Sequence, residues 1–357
     1  MVVDTCQAMI DKALAGNRLQ DDEALELLGT GDLLALGRAA DQIRQQKHPG
    51  QDVTFIVDRN INYTNICKSK CKFCAFYRTK DAPDAYLLDD AELYEKIAET
   101  IAAGGTQIML QGGLNSDLRL AYFENILREI KARFTITIHS FSPAEIIHMA
   151  EMEKLSVEET LRRLVAAGLD SLPGGGAEIL DDEVRKRVSP FKITAQQWLD
   201  VMEEAQKMGI GTTATMVVGM GETYQQRINH FRVIRQLQDR TGGFRAFIMW
   251  TFQPGNTELG GEKASAWDYL RTLAVARLYF DNISHLQGSW VTQGQSIGQL
   301  TLAFGADDLG SIMLEENVVR AAGTAYDMSI GKMTSLIRAA GKIPVQRDTA
   351  YDSIKTF

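Results

Sequence analysis

NYTNICKSKCKFCAFYR, residues 62–78, holds three of the chain's four cysteines within eight positions: Cys67, Cys71 and Cys74. Cysteines grouped this tightly in a reducing compartment belong to a metal or cluster site rather than a disulfide framework. The fourth, Cys6, lies 61 positions upstream in a helix-like segment and reads as a structural thiol. The spacing Cys67-x3-Cys71-x2-Cys74 can wrap three thiolates around one centre and leaves it one ligand short. A structural zinc is usually closed by a fourth Cys or His, and the flanking histidines, His48 and His139, are distant in sequence. An iron–sulfur cluster with one open iron meets the ligand count. A zinc site completed by a distant residue such as Cys6 is the alternative.

Outward from this loop the chain alternates between two periodicities. A β-rich stretch, VTFIVDRNINYTNIC, leads into it. Further apolar or β-branched runs begin near Ile61, Thr106, Phe134, Leu169, Thr213 and Phe244, separated by helix-period segments such as AELYEKIAETIAA and VEETLRRLVAAG. Gly104, Gly168 and Gly209 stand where helices should end in the left-handed conformation. At least six βα units argue for a parallel sheet buried under helices. AWDYLRTLAVARLYFD and the Gly-rich region to residue 323 supply two more. The expected fold is α/β, a (β/α) barrel of TIM type, with its site at the C-terminal ends of the strands. Residues 1–50 are expected as an N-terminal helical extension, with Asp21 or Asp22 and Asp32 as caps. Residues 51–320 form the barrel, and 321–357 a C-terminal segment packed on it.

Composition excludes several function classes. Lys and Arg number 38 against 46 Asp and Glu, a net charge of −8. An acidic chain with no basic tract is a poor nucleic-acid or anionic-membrane binder. No apolar run reaches the ~18 residues a span requires. Asp4 and Asp11 interrupt any secretory leader, so a cytoplasmic location is expected. GIGTTA (209–214) imitates a dinucleotide fingerprint, but it follows a helix and enters a strand, the reverse of the required context.

The cysteine triplet resembles the signature of the radical S-adenosylmethionine (radical SAM) superfamily. That resemblance implies a [4Fe-4S] cluster on Cys67, Cys71 and Cys74, with S-adenosyl-L-methionine (SAM) chelating the fourth iron. It further implies that Phe73 lies near the adenine, and that Gln111, Gly112 and Gly113 hold the SAM amino group. Glu178, in SLPGGGAEIL, would take a ribose hydroxyl or the SAM ammonium. Gly219, Gly221 and Glu222, in VVGMGET, would form a turn beside the adenine. Longer stretches, residues 59–78, HSFSPAEI (139–146), SLPGGGAEIL (171–180) and 288–318, are similar to the cyclic dehypoxanthinyl futalosine synthase family of menaquinone biosynthesis. Aminofutalosine synthase and deazaflavin cofactor synthase are related alternatives, and an iron–sulfur electron carrier is a different-class one.

The resemblance implies a small-molecule substrate, a ribose-linked benzoate, and a low-potential electron donor such as flavodoxin or ferredoxin. It implies neither nucleic acid nor membrane as partner. His139, at the end of the third strand, is a candidate catalytic base or hydrogen-bond partner. Ser142 is a candidate substrate contact or a helix cap. Arg78 could pair with a carboxylate, and one of Arg185, Lys186 and Arg187 could reach the SAM carboxylate. Glu145 reads as a first-turn helix acid.

Overall fold

A computed structural model describes residues 2–357. Three helices, Val2–Leu14, Asp21–Thr30 and Leu33–Lys47, precede the first strand. Asp32 caps the third, its carboxylate accepting from the Ala35 N–H at 2.8 Å. The second differs from expectation: Gln20 holds the N-cap position, and Asp21 and Asp22 lie inside the first turn. They favour the helix through its dipole there rather than by capping.

The strands are β1 (Asp52–Ile56), β2 (Asp58–Ile61), β3 (Gln107–Leu110), β4 (Thr137–Ile138), β5 (Ser171–Leu172), β6 (Gly211–Val218), β7 (Phe244–Thr251), β8 (His285–Gln287), β9 (Asp308–Ser311), β10 (Ile343–Arg347) and β11 (Ser353–Thr356). β1 runs on into β2 across Val57, so the two act as one stave. β2 pairs with β3 and β3 with β4, all parallel. A bridge between His139 and Ser171 passes from β4 to β5. From β5 the parallel ladder continues through β6, β7, β8 and β9 back to β1. Among the described residues the ring therefore has eight staves, the closed (β/α) barrel that the alternating pattern implied.

Helices cover the outside because their apolar stripes need burial. Helix Val157–Ala167 buries Leu161 and Leu164 on one face and places Glu158, Glu159 and Arg162 on the other. Gly104, Gly168 and Gly209 all take positive φ at helix ends, as their positions suggested.

The barrel floor is built by the C-terminal segment. β10 pairs in parallel with β1, Asp52 opposite Ile343 through Phe55 opposite Gln346. Gln346 Nε2 donates to the Gly104 carbonyl at 3.0 Å, which stitches β10 to the chain entering β3. Arg347 reaches inward and donates to both oxygens of Asp308, at 2.6 and 3.1 Å. Thr54 Oγ1 donates to the same carboxylate at 2.6 Å, and Thr349 Oγ1 to Gln107 Oε1 at 2.7 Å. Tyr351 stacks on Arg347 and on the His285 ring.

Candidate active site

Barrel interiors are usually packed with Val, Ile and Leu. This one is not. Residues two apart on each strand point into one cavity of about 330 Å³: Ile56, Asp58 and Asn60; Gln107, Met109 and Gln111; Thr213, Thr215 and Val217; Gln287 and Ser289; Leu309, Ser311 and Met313. The period of two is the strand's own alternation. A volume in this range suits a small-molecule ligand. Several of the polar side chains in it satisfy one another, Gln107 and Ser311 both donating to Asp58.

The cysteine loop forms the roof. Phe73 and Cys74 line the cavity, and Gly175, Gly176 and Glu178 line it from across the mouth. Cys71 is buried, Cys67 and Cys74 half-buried. Burial pushes the Cys71 thiol up to about 12 and raises Cys74 as well. Such thiols stay protonated until a metal displaces the proton. Ser69, between Cys67 and Cys71, is buried with a hydroxyl that has no partner, and Glu178 Oε2 is likewise without a hydrogen bond. An orphaned donor in the cysteine loop and an orphaned acceptor across the mouth fit a sulfur-rich cluster and a ligand bearing hydroxyl or ammonium groups.

The backbone is strained around this same end. Lys70, Phe141, Glu178 and Met313 take φ of 43°, 66°, 42° and 48°. They follow different strands and all stand at the top face. Left-handed backbone at non-glycine residues costs about 1–3 kcal/mol each and gathers at functional sites.

Glu145 is the node that sequence reasoning underrated. Its carboxyl is buried and accepts from Tyr63 Oη at 2.7 Å, from the Gly112 N–H at 3.0 Å and from the Ser142 N–H and hydroxyl at 2.7 Å each. Burial raises its pKa even against these donors. Glu145 thereby locks the strand leading into the cysteines to the turn after β3. Gly113 completes the join: a Cβ there would lie 2.2 Å from the Ile66 carbonyl oxygen. Gln111 lines the cavity, whereas Gly112 and Gly113 brace the cysteine loop from behind.

Several expected contacts sit elsewhere. Ser142 caps helix Pro143–Glu153 in a capping box with Glu145 and is not on the cavity wall. Ser142→Ala should cost about 1 kcal/mol of stability, read from a urea melt, and leave the product formed per SAM cleaved unchanged. Arg78 pairs with Asp84 at 2.7 Å and donates to the Ala75 and Tyr77 carbonyls, so it staples its own loop. Arg185 is buried and spends its guanidinium on the Gly176, Ala177 and Ile193 carbonyls. Arg187 donates to the Gly221 carbonyl at 2.9 Å, and Lys186 is exposed. Glu222 accepts from the Gly219 and Met220 N–H groups and pairs with Arg227, so that turn is held from behind rather than presented to the cavity.

Glu178 does face the cavity. Lys192 Nζ donates to its Oε1 at 2.9 Å, and Arg185 lies 3.5 Å from Oε2. Burial alone would lower the Lys192 pKa, but Glu178 and Cys71 together offset it and the net shift is upward.

His139 also lines the cavity. Its Nδ1 meets Ser171 Oγ at 2.7 Å. Burial, with Arg245 and Arg347 nearby, drives its pKa down to about 3. The ring is neutral at working pH and suits a hydrogen-bond role better than holding a proton. Sequence reasoning missed Asp58, Asn60 and Ser311, whose side chains also enter the lumen.

Residues 61–234 match the family described as "Radical SAM superfamily", and residues 241–356 match "CofH/MqnC C-terminal region". A protein of Halalkalibacterium halodurans named cyclic dehypoxanthine futalosine synthase is 49% identical over 98% of this chain and 95% of its own length. A protein of Streptomyces coelicolor with the same name is 48% identical over 98% of this chain and 88% of its own. In fold, the chain is similar to the crystal structure of methylornithine synthase, with a TM-score of 0.75 at 21% identity, covering 94% of this chain and 97% of that one. Among the described residues no helix is long and apolar enough to cross a membrane.

Proposed function

Since the chain belongs to the cyclic dehypoxanthine futalosine synthase family of radical SAM enzymes, we propose that it cyclises dehypoxanthine futalosine, a step of menaquinone biosynthesis. The observation that carries this reading is a lumen, apolar for the most part but set with Asp58, Asn60, Gln107, Gln111 and His139, that opens beneath the cysteine loop. When bound, a [4Fe-4S] cluster and SAM supply the 5′-deoxyadenosyl radical that takes the ribose C4′ hydrogen.

The chain's own residues do the rest. Cys67, Cys71 and Cys74 hold the cluster. Phe73 offers an aromatic face at the cavity mouth, with Lys192 Nζ 5.6 Å from its ring centre. Gln111, on the wall, and the Gly112–Gly113 turn behind it position the SAM amino group. Glu178, with one carboxylate oxygen that accepts no hydrogen bond, takes a ribose hydroxyl or the ammonium. His139 donates a hydrogen bond to the substrate from its free edge. The surrounding strands exclude water from the carbon radical by enclosing it. The C4′ radical then attacks the benzoate ring, and loss of one electron and one proton restores aromaticity. A small low-potential carrier of the flavodoxin or ferredoxin type is the electron donor we assign, and the cytoplasm the compartment.

The test is anaerobic incubation with SAM, reductant and dehypoxanthine futalosine, with products weighed by mass spectrometry. Cyclic dehypoxanthine futalosine is expected, in step with deoxyadenosine. Deoxyadenosine without it would sink the assignment.

Glu178→Gln should weaken SAM binding without changing iron content. Losing a charge-assisted hydrogen bond is worth roughly 1.5–3 kcal/mol, or about 10- to 100-fold in a SAM titration. Unchanged affinity would mean that Glu178 only anchors Lys192.

A further inference from the structure

We propose that Asp58 is the proton acceptor that restores the aromatic ring after the new carbon–carbon bond has formed. This rests on the cyclase reading above and names the group which that reading leaves open.

Geometry selects it. The ribose carbon that loses its hydrogen must lie under the cysteine roof, so the ring occupies the lumen below. Asp58 is the first residue of β2 and lines that lower lumen, two residues and about 7 Å down the strand from Asn60. Its Oδ1 accepts from the Ser311 hydroxyl and its Oδ2 from Gln107 Nε2 at 2.5 Å. Two neutral side-chain donors therefore fix the plane of the carboxylate without cancelling its charge.

The other acids on or beside the lumen are committed. Glu178 is paired with Lys192. Asp308, on the floor, is forked by Arg347. Glu316, like Asp58, accepts on both oxygens, but its donors are the backbone N–H groups of Val318, Val319 and Arg320, which cannot turn to accept from a protonated acid as the Ser311 hydroxyl beside Asp58 can. His139 resists protonation because it is buried beside Arg245 and Arg347.

The carboxylate has the right basicity. Burial raises its pKa to about 6, against the pull of Ser311, Gln107 and Arg347, with Asp308 pushing the same way as burial. A free aspartate near 3.9 would hold a transferred proton poorly at neutral pH; this one sits closer to the working range.

The step balances as follows. The carbon–carbon bond forms between ribose C4′ and the ring, leaving a ring carbon that bears hydrogen and an unpaired electron on the ring. That C–H bond breaks heterolytically. Its proton passes to an Asp58 oxygen, and its electron pair stays in the ring. The surplus single electron leaves to a one-electron acceptor of the iron–sulfur class.

The experiment measures cyclised product per deoxyadenosine for wild type, Asp58→Asn and Glu316→Gln, with iron content and thermal unfolding alongside. For Asp58→Asn we expect the ratio to fall about 100-fold or more, with an organic radical signal building up by electron paramagnetic resonance. A structural defect alone would not produce that signal. Glu316→Gln should stay within about twofold of wild type. In wild type the ratio should drop as pH falls through about 6, because a protonated Asp58 has no room for another proton. That last arm needs no variant and stands even if Asp58→Asn fails to fold. A folded Asp58→Asn with the wild-type ratio, a loss in Glu316→Gln instead, or a wild-type ratio flat from pH 5 to 8 would each overturn the proposal. If wild type makes deoxyadenosine but no cyclised product at any pH, the cyclase reading falls and the assignment of Asp58 falls with it.

Discussion

Replacing Cys71 with alanine strips the protein of iron and reduces SAM cleavage to background. Three thiolates are the whole protein share of the proposed cluster, so no remaining ligand can compensate. Cys67→Ala and Cys74→Ala should behave the same way. Cys6 supplies the control: it is buried in the first helix, with its sulfur 3.4 Å from Thr30 Oγ1, far in the fold from the roof. Cys6→Ala should keep iron, visible absorbance and turnover. The measurement is iron and sulfide per chain after anaerobic reconstitution, paired with deoxyadenosine yield. A Cys71→Ala protein that retained four irons and full turnover would refute the ligand assignment.

Arg347→Met should be the most destabilising single change on the barrel floor. The guanidinium and the Asp308 carboxylate are both buried, and the fork between them is nearly free of solvent. Removing one partner leaves an uncompensated buried charge, which costs about 3–5 kcal/mol. Adding Asp308→Asn should restore much of the loss, since the pair itself contributes little over a neutral filling of the same shape. Urea melts of the two single variants and the double variant give the coupling directly. If Arg347→Met melts like wild type, the floor does not depend on this pair.

The rhythm of the barrel was legible because each βα unit carries its own signals. Gly168 ends a helix with a strong apolar stripe, and a short run that begins and ends on leucine, Leu169 to Leu172, follows. The cysteine roof was legible because ligand spacing is local. The lumen was not. In a barrel wrapped by helices both faces of a strand are buried, so alternation does not mark which side faces in. Asp58 and Asn60 sit on either side of Arg59, which turns outward to Glu99 at 2.7 Å. Nothing local distinguishes the inward pair from the outward residue. β4 and β5 are two residues each, and an isolated bridge between His139 and Ser171, reinforced by the bond from the Ile138 N–H to the Asp170 carboxylate, stands where a longer ladder would join them. The capping role of Ser142 was readable; the further partners that make Glu145 a node come from Tyr63 and Gly112, remote in sequence.

The pairing of β10 with β1 also sets an order of events. Asp52 leaves the ribosome long before Ile343, its partner in the ladder. Until then the lower edge of β1 is a bare row of amide and carbonyl groups, the kind of edge that recruits foreign strands. Contacts this distant in sequence form late, because closing so large a loop is entropically costly. Nascent chains stalled before residue 343 should therefore engage chaperones and aggregate, while chains released in full should not.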